Sequence, residues 1–140
     1  VLGHYSNEII PHINKINDSR IKIIKNNPID VGLSVSLLNG LTNTDSDIVL
    51  CVTGDQPTVT TTTFKNILDY ILNSNNPKET ISILRRRKTG ILDTAEGLGM
   101  PFAAYRTSLI NYLEGENDNL NPILRRIFDD GFEDGIRLYD

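Results

Sequence analysis

The chain predicts an α/β domain, three layers deep, with a mostly parallel sheet. Short runs that read as strands recur along it: "RIKIIK" (20–25), "DIVLCVT" (47–53), rich in β-branched residues, "TISILR" (80–85) and "PFAAY" (101–105). Between most of them, apolar residues return every three or four positions, the spacing of one helix face. Strands and helices in alternation pack as a sheet with helices laid over its faces. With 140 residues, 39% of them hydrophobic, the chain can bury a core. It shows no internal repeat or linker, so 1–140 is read as one domain.

Each element has its own signal. Val1-Leu2-Gly3 reads like the end of a strand, which suggests that the chain starts inside a domain, and "GIRLYD" at the other end is equally abrupt. Ser6 is placed to cap a helix carrying Ile9, Ile10, Ile13 and Ile16. "NNP" (26–28) marks a turn. "GLSVSLLNGL" (32–41) reads as a loop running into a helix, with Leu37, Leu38 and Leu41 on one face. The run 47–53 suits a strand buried on both faces. Phe64, Ile67, Leu68, Ile71 and Leu72 make the clearest amphipathic helix. The polar, glycine-punctuated stretch 86–99 is a long loop. Thr107 is placed to cap a helix ending near Leu113. Asn121 then Pro122 gives an N-cap and a first-turn proline, and Gly131 sits where a helix-ending glycine belongs.

Composition narrows the function. The net charge of −4 is not that of a nucleic-acid-binding surface. No apolar run is long enough to cross a bilayer, and no secretory pattern opens the chain, so no membrane partner is expected. One cysteine precludes an internal disulfide and fits a cytoplasmic setting. One cysteine and two distant histidines do not make a zinc site. His4, at a strand end, is a minor candidate for a cofactor contact; His12 reads as structural, and Cys51 as a buried, inert thiol.

In an open α/β sheet, ligands collect beyond the carboxyl ends of the strands. Asp55 lies just past strand 47–53, held between Gly54 and Gln56-Pro57. Gly32, Ser34 and Ser36 lie past strand 20–25 and offer small side chains, hydroxyls and helix-start N–H groups that suit phosphate or sugar. A hard cation such as Mg²⁺ prefers carboxylate oxygen, typically with substrate phosphates. Together the two loops read as a nucleotide-phosphate site with a metal. Asp55 reads equally well as an ordinary turn residue in "GDQP".

"NNPIDVGLSVSLLNGL", "DIVLCVTGDQPTVTTTTF" and "GLGMPFAAYRTSL" resemble the nucleotidyltransferase family that matures the molybdenum cofactor, and most nearly its molybdenum cofactor cytidylyltransferases. The likeness runs from Val1 to about Leu113. "GDQP" followed by Thr or Ser is its most specific element. It implies a Rossmann-like sheet and transfer of CMP from CTP to the molybdopterin-type cofactor, with release of pyrophosphate. The product would serve molybdenum hydroxylases, with a hydroxylase or its maturation chaperone as partner. It further implies Asp55 as the Mg²⁺ ligand and catalytic residue. Gly32, Ser34, Ser36, Gln56 and Pro57 would lie on the nucleotide side, and Gly99, Met100 and Pro101 on the acceptor side.

The chain also departs from the family. Its glycine-rich triphosphate loop would precede Val1, so the domain is expected to lack its N-terminal strand, loop and helix, and this piece alone to be inactive. The second acidic motif, expected near the C-terminus, is not visible, and Asp140, at the end of the chain, does not align with it. Met100 replaces a frequent histidine. "RRRK" (85–88) reads as a solvated charge run or a grip on an anionic cofactor; Asp93 and Glu96 are further carboxylates in the same loop. A guanylyl- or sugar-nucleotidyltransferase, and a non-catalytic module that holds the cofactor, remain alternatives.

Overall fold

The computed structural model describes residues 1–85, 99–117 and 119–138. The long loop expected over 86–99 lies outside them up to residue 98, as do Asp93, Glu96, all of "RRRK" beyond Arg85, and Asp140. The elements run α1 (Ser6–Asn14), α2 (Leu33–Leu41), β1 (Ile48–Cys51), α3 (Thr61–Leu72), a 3-10 turn (Pro77–Glu79), β2 (Thr80–Arg85), β3 (Phe102–Tyr105), α4 (Arg106–Leu113), α5 (Leu120–Asp129) and β4 (Glu133–Leu138).

The four strands lie in the order β1-β3-β2-β4. β2 and β4 pair in parallel, and β3 runs antiparallel to both β1 and β2. Three strands thus share one direction, and β3, inserted between β1 and β2, reverses it. Side chains alternate across this sheet as the pleat requires. Val49, Cys51, Ile81, Ile83, Phe102 and Ala104 face α2, α4 and α5, where they meet Leu41, Leu109, Leu113 and the buried stripe of α5. Ile48, Leu50, Leu84 and Ala103 face α3, whose Ile67 and Ile71 are wholly buried. Burying each of these isoleucines is worth about 1.5–3 kcal/mol. That is enough to hold a twelve-residue helix that would be marginal alone.

Several local expectations are corrected. The segment 20–25 is extended, but among the described residues it pairs only at a parallel bridge between Leu2 and Lys25. A ladder needs a partner along its length, and among the described residues only Leu2 supplies one, through Leu2 N–H to Ile24 O (2.8 Å) and Asn26 N–H to Leu2 O (2.8 Å). Among the described residues β1 is an edge strand, and Ile48, Val49 and Leu50 are half-buried while Cys51 is buried. Ser6 does not cap α1; Tyr5 does, in left-handed backbone geometry, and Ile9 and Ile16 stay exposed. Leu72 is likewise exposed, at the last turn of α3. Thr107 lies inside α4, whose cap is Tyr105. Asn119 rather than Asn121 caps α5, which puts Pro122 at the third helical position.

Other features follow the expectations. The Thr60 hydroxyl accepts from Thr63 N–H (3.2 Å) and caps α3. Gly131, at φ 95°, ends α5 through Gly131 N–H to Phe128 O (3.0 Å) and Phe132 N–H to Ile127 O (3.3 Å). These are the two bonds of the glycine-terminated helix end. No helix among the described residues is long and apolar enough to cross a membrane.

Candidate active site at the junction of four chain segments

β1 is fixed from below before its loop emerges. Arg106 donates its backbone N–H to Asp47 O (2.7 Å) and its guanidinium Nε to Ser46 O (2.9 Å), which pins the approach to the strand. Beyond Cys51 the chain leaves the sheet through Val52 and Thr53 and turns at Gly54 and Asp55. Asp55 is exposed. Gln56 folds back: its Nε2 donates to Met100 O at 3.0 Å. The "GDQP" loop is therefore tied to the "GMP" segment that leads into β3. The other end of the same amide, Gln56 Oε1, is buried with no hydrogen-bond partner among the described residues.

The start of α2 is anchored from two sides. Asn26, nearly buried, donates from Nδ2 to Ser36 Oγ (3.1 Å) and accepts at Oδ1 from Asn39 Nδ2 (2.9 Å). Gly32 N–H, at the N-cap of α2, donates to Asn117 Oδ1 at 2.7 Å. The loop before α5 thus reaches the start of α2, 85 residues earlier in the chain. Ser34 is wholly buried and engaged.

These anchors leave a cavity of about 410 Å³ where four segments meet: Leu33 at the start of α2, Thr53 after β1, Gly99 and Met100 before β3, and residues 119–122 at the start of α5. Of the residues singled out from sequence, Gly99 and Met100 line it directly. Gly32 adjoins it through Leu33, and Gln56 braces it through the Met100 carbonyl. Asp55 stands outside it, two residues beyond Thr53. Ser34 and Ser36 lie within the packing of α2 rather than on the cavity wall, and Pro101 is buried behind it. His4 is on the surface, paired with Asp30.

Leu33, Thr53 and the 119–122 segment carry no site motif. The asparagine-rich run "ENDNLN" (116–121) was the available signal, since it supplies both the Gly32 contact and part of the wall. Burial pushes the Cys51 thiol up to about 12, so it takes no part in chemistry near neutral pH.

Magnesium is commonly held by one or two carboxylates together with substrate phosphates. Among the described residues no three His, Cys, Asp or Glu side chains converge on one point. Asp55 nevertheless offers an accessible hard oxygen on the loop that follows Thr53. A single exposed carboxylate suits a magnesium ion that arrives with substrate phosphates.

A solved nucleotidyl transferase from Methanothermobacter thermautotrophicus superposes with a TM-score of 0.79 at 36% identity, covering 94% of this chain and 57% of that one. The fold is that of a nucleotidyltransferase. A 4-diphosphocytidyl-2C-methyl-D-erythritol synthase from Anaerococcus prevotii shares the same fold, with a TM-score of 0.73 at 15% identity, over 99% of this chain and 67% of that one. The chain spans little more than half the length of the first of these. No family model and no curated protein matches it.

Proposed function

We propose that the protein is a nucleotidyltransferase that moves CMP from CTP to the terminal phosphate of the molybdopterin-type cofactor. The observation that carries this reading is the convergence of Thr53, the start of α2 and the Gly99–Met100 segment on one cleft, with the "GDQP" loop tied to its wall through Gln56, in a fold shared with a nucleotidyl transferase 36% identical to it. The choice of CTP and of the pterin cofactor rests on the sequence resemblance.

In the reaction, an oxygen of the acceptor's terminal phosphate attacks the α-phosphorus of CTP. The new P–O bond forms as the bond between the α-phosphorus and its bridging oxygen breaks, and pyrophosphate leaves with that oxygen. No covalent intermediate with the protein is needed, so the protein's work is positioning and charge neutralisation. Asp55 would hold the magnesium, which neutralises phosphate charge when bound. Gln56 keeps the Asp55 loop in register with the Met100 backbone, and hence with the cavity. Asn117 holds the start of α2 at the same cavity. The product would be handed to a molybdenum hydroxylase or its maturation chaperone.

The test is CTP-dependent transfer by the intact protein, followed as pyrophosphate release, with molybdopterin cofactor as acceptor and GTP as competitor. Transfer from CTP that is lost in Asp55→Asn, with an unchanged circular dichroism spectrum, is the expected result. Preference for GTP would move the assignment to guanylyl transfer. Normal turnover by Asp55→Asn would remove the metal-ligand role.

A further inference from the structure

Large apolar side chains left open to solvent gather at one edge of the molecule. Leu33 and Thr53 line one cavity, so the chain beyond segment 20–25 and the chain beyond β1 open on the same edge. Segment 20–25 runs parallel to Leu2 at their bridge, so the turn after Leu2 opens there too. Tyr5, Ile29, Leu33 and Val52 follow these three ends, and all four are exposed. Scattered exposed apolar residues mean little, whereas a gathering at the ligand edge of a sheet marks a binding surface.

Tyr5 is the outlier among them. It sits in left-handed backbone (φ 58°, ψ 14°) at the turn from Leu2 into α1. A bulky side chain enters that region rarely and at a cost. The turn is sharp: only Gly3 and His4 separate the Leu2 bridge from the Tyr5 cap, and Tyr5 O accepts from Glu8 N–H and Ile9 N–H, both at 3.0 Å. A strained strand-to-helix turn of this kind lifts its side chain above the sheet edge. Tyr5 is accordingly 73% exposed. An open aromatic face is what a nucleic acid base stacks on.

Its neighbour supplies a polar contact. His4 Nε2 is paired with Asp30, in the loop after segment 20–25 and two residues before Gly32. A carboxylate only accepts, so the imidazole donates from Nε2, and the neutral ring keeps its Nδ1 lone pair. Nδ1 has no hydrogen-bond partner among the described residues. The His4 and Tyr5 rings stand 6.4 Å apart, tilted by 54°. An acceptor beside the stacking face suits the exocyclic amine of cytosine and repels the carbonyl oxygen that uracil carries in its place.

We infer that Tyr5 stacks on the base of the nucleotide, and that His4 Nδ1, fixed in its tautomer by Asp30, accepts from the cytosine amine. Tyr5 and His4 touch the ligand, and Asp30 is a positioning residue. The inference rests on the transferase reading for the presence of a nucleotide. It adds a source of base selectivity that the helix start at Gly32, Ser34 and Ser36 does not carry.

The experiment is calorimetric titration of the intact protein with CTP, UTP and tripolyphosphate, each with magnesium. The unaltered protein should bind CTP about tenfold tighter than UTP, for one hydrogen bond gained and one repulsion avoided. Tyr5→Ala should weaken both nucleotides about tenfold, the order of one base–aromatic stack, and leave tripolyphosphate binding unchanged. Tyr5→Phe, which keeps the ring, should restore the loss. Tyr5→Gly should bind as weakly as Tyr5→Ala without a lower thermal midpoint, because glycine is unstrained in left-handed backbone. His4→Ala and Asp30→Asn should erase the preference for CTP over UTP, a ratio that a merely structural pair would not move. Unchanged CTP affinity in Tyr5→Ala, tripolyphosphate binding that falls with it, or a CTP preference that survives His4→Ala each overturns the inference. Transfer to the molybdopterin cofactor, assayed in the same preparations, separates the two readings. Transfer with CTP binding indifferent to Tyr5 and His4 sinks this inference alone. Binding that senses both residues, without transfer, upholds it and sinks the transferase reading. No CTP binding by the unaltered protein sinks both.

Discussion

Gln56 is the residue through which the geometry of this site is most sharply tested. Its Nε2 donates to Met100 O at 3.0 Å, and its Oε1 is buried without a partner among the described residues. A net hydrogen bond is worth about 1 kcal/mol, and an orphaned buried acceptor costs about 1–3 kcal/mol. Gln56→Leu deletes both terms and leaves the Met100 carbonyl without its donor. The changes nearly cancel, so stability should move by no more than about 1 kcal/mol.

Gln56→Glu keeps the shape but sets a carboxylate oxygen against the Met100 carbonyl oxygen. It loses the bond, adds repulsion and desolvates a charge, for a loss of about 3 kcal/mol at pH 7. Burial and the facing carbonyl would raise the folded-state pKa of the introduced carboxyl. Between its unfolded and folded values the native state then binds more protons, so stability falls as pH rises through that window. On acidification the penalty should shrink, because the protonated acid can donate to Met100 O. Urea unfolding of the intact protein at pH 7 and pH 5, followed by circular dichroism, measures all of this. Equal stability of the two variants at pH 7, or a Gln56→Glu penalty that does not ease at pH 5, would refute the reasoning.

Two other outcomes are expected. Ser36→Ala removes the acceptor for Asn26 Nδ2 and should cost about 1 kcal/mol of stability, read as a lowered midpoint in thermal unfolding; an unchanged midpoint would return the hydroxyl to ligand binding alone. Cys51, with its thiol pushed up to about 12, should have roughly a thousandfold less thiolate at pH 8 than a free cysteine, so alkylation should wait for unfolding; rapid labelling of native protein would show that the β1 edge opens readily.

Much of the framework was legible from local pattern. Period-3.6 spacing located α3, and short apolar runs located β2 and β3, because a strand covered on both faces reads as a near-continuous apolar stretch. Gly131 was legible because a left-handed helix end admits little else. The strand 20–25 failed for the converse reason: β-propensity states a willingness to pair, and only the tertiary neighbour decides whether a ladder forms. Capping residues were misplaced by one or two positions at α1, α4 and α5, where no side-chain bond fixes the cap.

By itself the sequence determined the α/β class, the covering of the sheet on both faces and the placing of Asp55 at the exit of a strand. These follow from hydrophobic period and from residue chemistry, both local. Only the tertiary structure decided that β3 reverses between β1 and β2, that Gln56 reaches Met100 across 44 residues, and that Asn117 reaches Gly32 across 85. Contacts at such separations depend on how packed layers bring distant segments together, and no local period encodes them. The cavity between those segments exists only where the layers meet.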